Sequence, residues 1–228
     1  MMLFLDFYEF CKVGLSYIKE AGKKGKLGLW HITEPVDELL KMKTFSAKDL
    51  YQLNSFSYTH RKKEWLVARI LTEQLSGEKN TRIVYDKHNK PFLKNSNNHI
   101  SLSHSHNLLA VIIDDKETGI DIELIKPNVL KIKEKFMSKK ELSEAGHANT
   151  AEKFTLYWCV KESLYKYYGK KKLTFKENLL VEPFEYSEKG VVRTEIFHDS
   201  MKKKFELNYE KISAEGQEYM MAYIIKEV

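Results

Sequence analysis

Two short segments bring carboxylates and amines to where they can act together: Gly119-Ile120-Asp121-Ile122-Glu123 and Trp158-Cys159-Val160-Lys161-Glu162-Ser163-Leu164-Tyr165-Lys166. In an extended strand side chains alternate, so Asp121 and Glu123 share one face while Ile120, Ile122 and Leu124 share the other. Two carboxylates on one face repel unless a cation, basic groups or solvent compensate them. A hard divalent ion such as magnesium does this with oxygen ligands and leaves positions for water and phosphate oxygens. On its own the Asp-x-Glu pair more often describes a solvated strand face, since chance matches are common. In the second segment Glu162 lies beside an apolar helical stripe with Lys166 one turn further on, a pair worth only about 0.3–0.5 kcal/mol if exposed. Beside a metal, the same carboxylate is poised to take a proton from a hydroxyl while the lysines hold phosphate oxygens. Together the segments describe a metal site beside a lysine-bearing helix, which is what handling a pyrophosphate requires.

The elements that must position these groups are legible in part. Phe154, Tyr157, Trp158, Lys161, Tyr165 and Tyr168 recur at helical spacing, and the helix is expected to stop at Gly169. A second helix is expected over Thr59–Leu75, where Trp65, Leu66, Ala68, Ile70, Leu71 and Leu75 form the apolar stripe and Arg61, Lys62, Lys63 and Arg69 a basic patch. Leu27–Ile32 reads as a core strand after the solvated turn Lys23–Lys26. Glu34–Leu40 reads as a helix start with proline and acids in its first turn, and Ser46–Leu50 as a capped turn. Turns at Tyr85–Leu93 and Asn95–Asn98 precede His99–Ser105 and the buried strand Leu108–Ile113. The short polar stretch Asp114–Thr118 then predicts that this strand turns back into Gly119–Ile125 as a hairpin or close neighbour.

Composition narrows the class. With 43% hydrophobic and 12% aromatic residues, 228 residues can bury one sizeable core or two small ones. Cys11 and Cys159 lack zinc-site spacing and are too few for a disulfide framework, so a reducing, cytoplasmic setting is expected. Met1–Glu9 is apolar but lacks a basic leader, and no apolar run reaches membrane-spanning length. Four prolines and ten glycines leave no long linker, so any division of the chain must be compact. The net charge of +6 favours polyanionic partners: nucleic acid, a phosphorylated cofactor or an acidic protein.

In order and spacing, the two carboxylate segments resemble the paired signature of the 4'-phosphopantetheinyl transferase superfamily, particularly its larger Sfp-type class. Lys90-Pro91-Phe92 is similar to the family's G-K-P segment, with Asn89 in place of the glycine. Ile100–Ser105 resembles its N-I-S-H-S segment, and Arg61–Leu71 its R-x-x-E-x-x-x-x-R helix. The likeness runs from about Leu27 to Leu173 and leaves residues 1–26 as a possible extension.

That resemblance implies an α+β fold, a pseudo-twofold pair of similar halves at 1–114 and 115–228 with the active site at their junction. It implies a monomeric enzyme that moves 4'-phosphopantetheine from coenzyme A to a serine of an apo acyl or peptidyl carrier protein. Asp121, Glu123 and Glu162 would hold Mg2+, with Glu162, or a metal-bound water it orients, as the general base and Lys166 acting on phosphate oxygens. His104 and Ser103, with Lys90, Arg61, Arg69 and Lys161, would contact the coenzyme, His104 at its 3'-phosphate. His106 has no counterpart in the pattern. The competing readings are a non-catalytic relative that binds coenzyme A or a carrier protein, and a basic nucleic-acid-binding protein. The second is motivated by net charge, many tyrosines, and the runs Lys139-Lys140 and Lys170-Lys171-Lys172. No nucleic-acid motif interleaves those lysines, so neither nucleic acid nor membrane is an expected partner.

Overall fold

A computed structural model describes residues 14–145, 150–170 and 172–228. Cys11, the Met1–Glu9 segment and Lys171 lie outside the described residues. The chain is a mixed α+β protein with two sheet-bearing regions. The first comprises β1 (Leu15–Ala21), β2 (Gly25–His31), α1 (Val36–Lys41), α2 (Ala47–Asn54), α3 (Thr59–Ser76), β3 (Arg82–Tyr85), β4 (Pro91–Lys94), β5 (His99–Ser105) and β6 (Leu108–Asp114). The second comprises β7 (Ile120–Leu124), α4 (Val129–Phe136), α5 (Lys139–Glu144), α6 (Ala151–Tyr168), α7 (Phe175–Asn178), β8 (Leu179–Val181), β9 (Lys189–His198), β10 (Met201–Ala214) and β11 (Gln217–Glu227).

The strand order is β1-β2-β6-β5 in one sheet and β7-β11-β10-β9-β8 in the other. Each sheet has one long helix on its outer face, and the sheets face each other across a shared core. Trp30, Leu109, Val111 and Ile113 pack against Leu66, Ile70 and Leu71 of α3. The alternate side chains Leu27, Leu29, Leu108, Ala110 and Ile112 meet Ile120, Ile122, Tyr219, Met221 and Tyr223 of the other sheet. Phe154, Leu156, Val160 and Leu164 of α6 pack on the far side of that second sheet. Both faces of the central strands are therefore buried, and each fully buried aliphatic side chain contributes roughly 1.5–3 kcal/mol.

Local chemistry fixes the two long helices. Both α3 and α6 are 18 residues long, and each ends in a left-handed glycine, Gly77 (φ 68°) and Gly169 (φ 69°). The Gly77 N–H bonds to Glu73 O, and the Gly169 N–H to Tyr165 O. Each helix also lies close over a glycine, Gly28 within β2 and Gly119 just before β7. A Cβ on Gly28 would come within 2.6 Å of Leu71 in α3, and one on Gly119 would strike the Ser163 carbonyl of α6. Ser46 and Asp49 close a capping box on α2, as the Ser46–Leu50 pattern predicts.

Two expectations need correction. The turn before the first expected strand is Gly22–Lys24, and Gly25 and Lys26 already belong to β2. Within the possible extension at 1–26, residues Leu15–Ala21 form β1, which pairs antiparallel with β2. More consequentially, of the hairpin or close neighbour expected of β6 and β7, the hairpin does not form, and the two strands approach each other from different sheets. β6 pairs with β2 and β5, whereas β7 pairs with β11, setting Asp121 opposite Ala222 and Glu123 opposite Met220. The polar turn after β6 carries the chain from one sheet into the other.

Candidate active site

The β7–β11 register and the two-residue strand period turn Asp121 and Glu123 away from the inter-sheet core, toward α6. From α6, Lys166 reaches the same place: its Nζ donates to Asp121 Oδ1 at 2.7 Å and to Ile120 O at 3.0 Å. Glu162, one helical turn before Lys166, joins them electrostatically. Burial, then the Asp121 charge, lifts the Glu162 carboxyl to about 7; Lys166 opposes that rise and Glu123 adds to it. Glu123 is itself raised by burial and by Asp121, against hydrogen bonds from Ser105 and Trp158. One lysine therefore compensates three carboxylates only in part.

The donor chemistry fits a hard divalent ion. Asp121 is 3% exposed, and its Oδ2 is buried with no hydrogen-bond partner, although Oδ1 has two. The nearby free thiol, Cys159, lies 3.3 Å from Met220 O, and burial together with the neighbouring Asp121 and Glu123 carboxylates raises its pKa. A buried carboxylate oxygen without a partner costs on the order of 1–3 kcal/mol, which an oxygen-seeking cation would offset. Among the described residues no three acidic, histidine or cysteine groups are already drawn in to metal-ligand spacing. The ammonium of Lys166 is the cation seated on Asp121.

β5 runs beside β7 and presents its two faces differently. Ser103 donates to Asp121 Oδ1 (2.7 Å) and Ser105 to Glu123 Oε2 (3.0 Å). His104, between them, faces the other way, toward α3. Its Nδ1 lies 2.9 Å from Glu64 Oε1, and its Nε2 lies 3.3 Å from Arg61 NH1. Glu64 also accepts from Arg61 NH1 (2.9 Å) and pairs with His60 (3.1 Å). Burial alone would raise the Glu64 carboxyl, but hydrogen bonds from His104 and Arg61 hold it below its ordinary value. Exposed His104 and Arg61 thus stand on a buried acid, a surface whose guanidinium and imidazole can meet a phosphate.

The remaining expected residues lie elsewhere. Lys161 is fully buried, and its three donors go to Glu141 Oε2 (2.7 Å), Phe136 O (3.0 Å) and Phe175 O (2.9 Å), so none is left for a phosphate. Lys90 Nζ caps the α6 C-terminus at Tyr167 O (2.7 Å) and pairs with Glu117, away from His104. Arg69 is 6% exposed; it donates to Trp65 O and stacks 3.3 Å from that ring. Burial pushes its guanidinium down to about 10. It lines a separate cavity of about 520 Å3 with Lys43, Lys48, Asp49, Arg82 and Tyr85. The Ser103 hydroxyl is committed to Asp121. Glu64 and His60 were not among the expected residues, although the acidic letter of the R-x-x-E pattern falls on Glu64.

Comparison with known proteins adds an independent line. The profile of the 4'-phosphopantetheinyl transferase superfamily matches residues 117–224, from just before β7 into β11. The 4'-phosphopantetheinyl transferase ffp of Bacillus subtilis is 34% identical over 110 residues, 46% of this chain and 49% of that protein. The transferase psf-1 of Bacillus pumilus is 42% identical over 76 residues, 32% of each chain. The transferase Sfp of Bacillus subtilis strain 168 is 32% identical over 110 residues, 46% of this chain and 49% of the relative. The chain spans at most about half the length of these curated relatives. No helix among the described residues is long and apolar enough to cross a membrane.

Proposed function

We propose that the chain, which is similar to the 4'-phosphopantetheinyl transferase superfamily over residues 117–224, transfers 4'-phosphopantetheine from coenzyme A to a serine hydroxyl of an apo carrier protein, releasing adenosine 3',5'-bisphosphate. The observation that carries this reading is the gathering of Asp121, Glu123 and Glu162 around one lysine, with Asp121 Oδ2 buried and unpartnered. Asp121, Glu123 and Glu162 would hold Mg2+, which when bound offsets the charge of the pyrophosphate.

The serine oxygen attacks the β-phosphorus and the bond to the bridging oxygen of the adenosine-side phosphate breaks. Glu162, or a water that it orients, takes the serine proton. Lys166, already on Asp121 Oδ1, is placed to steady phosphate oxygens as charge shifts to the leaving group. On the α3 side, His104 and Arg61 receive the 3'-phosphate, with Glu64 orienting both. Little covalent chemistry is asked of the protein beyond positioning and electrostatics.

The two sheet-and-helix regions are taken as pseudo-twofold halves, 1–114 and 115–228, that build the site at their junction within a monomer. An acidic carrier helix approaching the net-positive chain would gain mainly in encounter rate. The test is intact mass of a panel of apo carrier proteins after incubation with the protein, Mg2+ and coenzyme A. A phosphopantetheine-sized gain, lost on chelation, is expected; no gain on any carrier from folded protein would contradict transfer.

A further inference from the structure

β5 and β7 are terminal strands of different sheets, and no backbone ladder joins them. A row of serine hydroxyls at every second position of β5 joins them instead. Ser101 Oγ accepts the Ile120 N–H (3.1 Å), and Ser105 Oγ accepts the Leu124 N–H (3.0 Å). Between these anchors Ser103 donates to Asp121, and Ser105 spends its own proton on Glu123. All three serines are buried, at 4%, 6% and 7% exposure. A hydroxyl has one proton and two lone pairs, so Ser105 can splice the strands and hold a carboxylate at once.

We propose that Ser103 and Ser105 are positioning residues that set the β7 carboxylates for a divalent cation, while Ser101 only splices the strands. The terminal torsion of a carboxylate is broad and nearly twofold, so the strand alone does not decide which oxygen points outward. At Asp121 the choice is made: Ser103 and Lys166 both occupy Oδ1, leaving Oδ2 as the free oxygen. At Glu123 the Ser105 proton restrains Oε2. Such partners of ligating groups typically matter by about 10–100-fold in metal affinity. This inference rests on the metal part of the proposed function.

The test is Mn2+ binding to the full chain, followed by electron paramagnetic resonance with and without coenzyme A, together with the metal-free melting temperature of each variant. Ser103→Ala and Ser105→Ala are expected to weaken Mn2+ about tenfold or more, and Ser105→Thr, which keeps the hydroxyl, to recover most of that loss. Ser101→Ala is expected to lower the melting temperature while leaving Mn2+ affinity unchanged. Wild-type affinity in both Ser103→Ala and Ser105→Ala would overturn the inference and leave the metal reading standing. No Mn2+ uptake by the wild-type chain under either condition would overturn both.

Discussion

α3 and α6 have the same length, the same left-handed glycine stop and the same close approach over a glycine, yet they carry opposite charge to the site. At α3 one acid, Glu64, is surrounded by His60, Arg61 and His104; at α6 one lysine, Lys166, stands among Asp121, Glu123 and Glu162. Similar scaffolds are thus specialised by side chains alone. The α3 side suits an anion directly, whereas the α6 side can accept one only with a further cation. A phosphate-rich coenzyme held across both would meet binding groups on one side and reacting groups on the other.

The α6 side should be the more fragile in turnover. Asp121→Ala is expected to lower transfer by about 10^3-fold or more, measured as carrier modified per minute, while the circular dichroism spectrum stays that of the parent. Glu162→Gln should cost about 10^2-fold in kcat with little change in coenzyme binding. Equal losses in both would make Glu162 a binding group.

Within α6, Lys161 and Lys166 sharpen the contrast. Lys161→Met leaves Glu141 buried without its ammonium and should lower stability by about 3 kcal/mol, seen in denaturant melts, with KM for coenzyme A unchanged. A raised KM with parental stability would return Lys161 to the phosphate site.

The carboxylate group also predicts a pH dependence for metal-free protein. Glu162 rises from 4.5 to about 7, so between those values the folded state keeps a proton that the unfolded chain has released. In chelator, stability should therefore fall as pH rises through 4.5–7, by on the order of 2–3 kcal/mol, and added Mg2+ should reverse the loss near pH 7. A flat melting temperature across that window would remove the strain ascribed to the cluster.

The long helices and their ends were legible because periodicity and a terminal glycine are local signals. So was the shared face of Asp121 and Glu123. Lys161 stands in the apolar stripe read from the sequence, beside Tyr157 and Tyr165, and one residue of helix turns it about 100° from Glu162. That position is compatible with burial, yet the resemblance implied a phosphate contact, and its partner Glu141 lies on another helix and leaves no local trace. The sequence does not separate a hairpin from a close neighbour at the crossing from β6 to β7 for a related reason: a short polar turn looks the same whether the chain reverses within a sheet or enters the next one, and β11 lies far along the sequence. The alternation Ser101, Ser103, Ser105 is visible on the page, whereas the strand it faces is not.

The division of labour between the regions is tested most directly by steady-state kinetics with coenzyme A and 3'-dephospho-coenzyme A, comparing wild type, His104→Ala and Glu162→Gln. The account predicts that His104→Ala narrows the kcat/KM preference for coenzyme A by about tenfold, through KM. Glu162→Gln should lower kcat for both substrates and preserve that preference. An unchanged preference in His104→Ala, or a preference lost in Glu162→Gln instead, would contradict it.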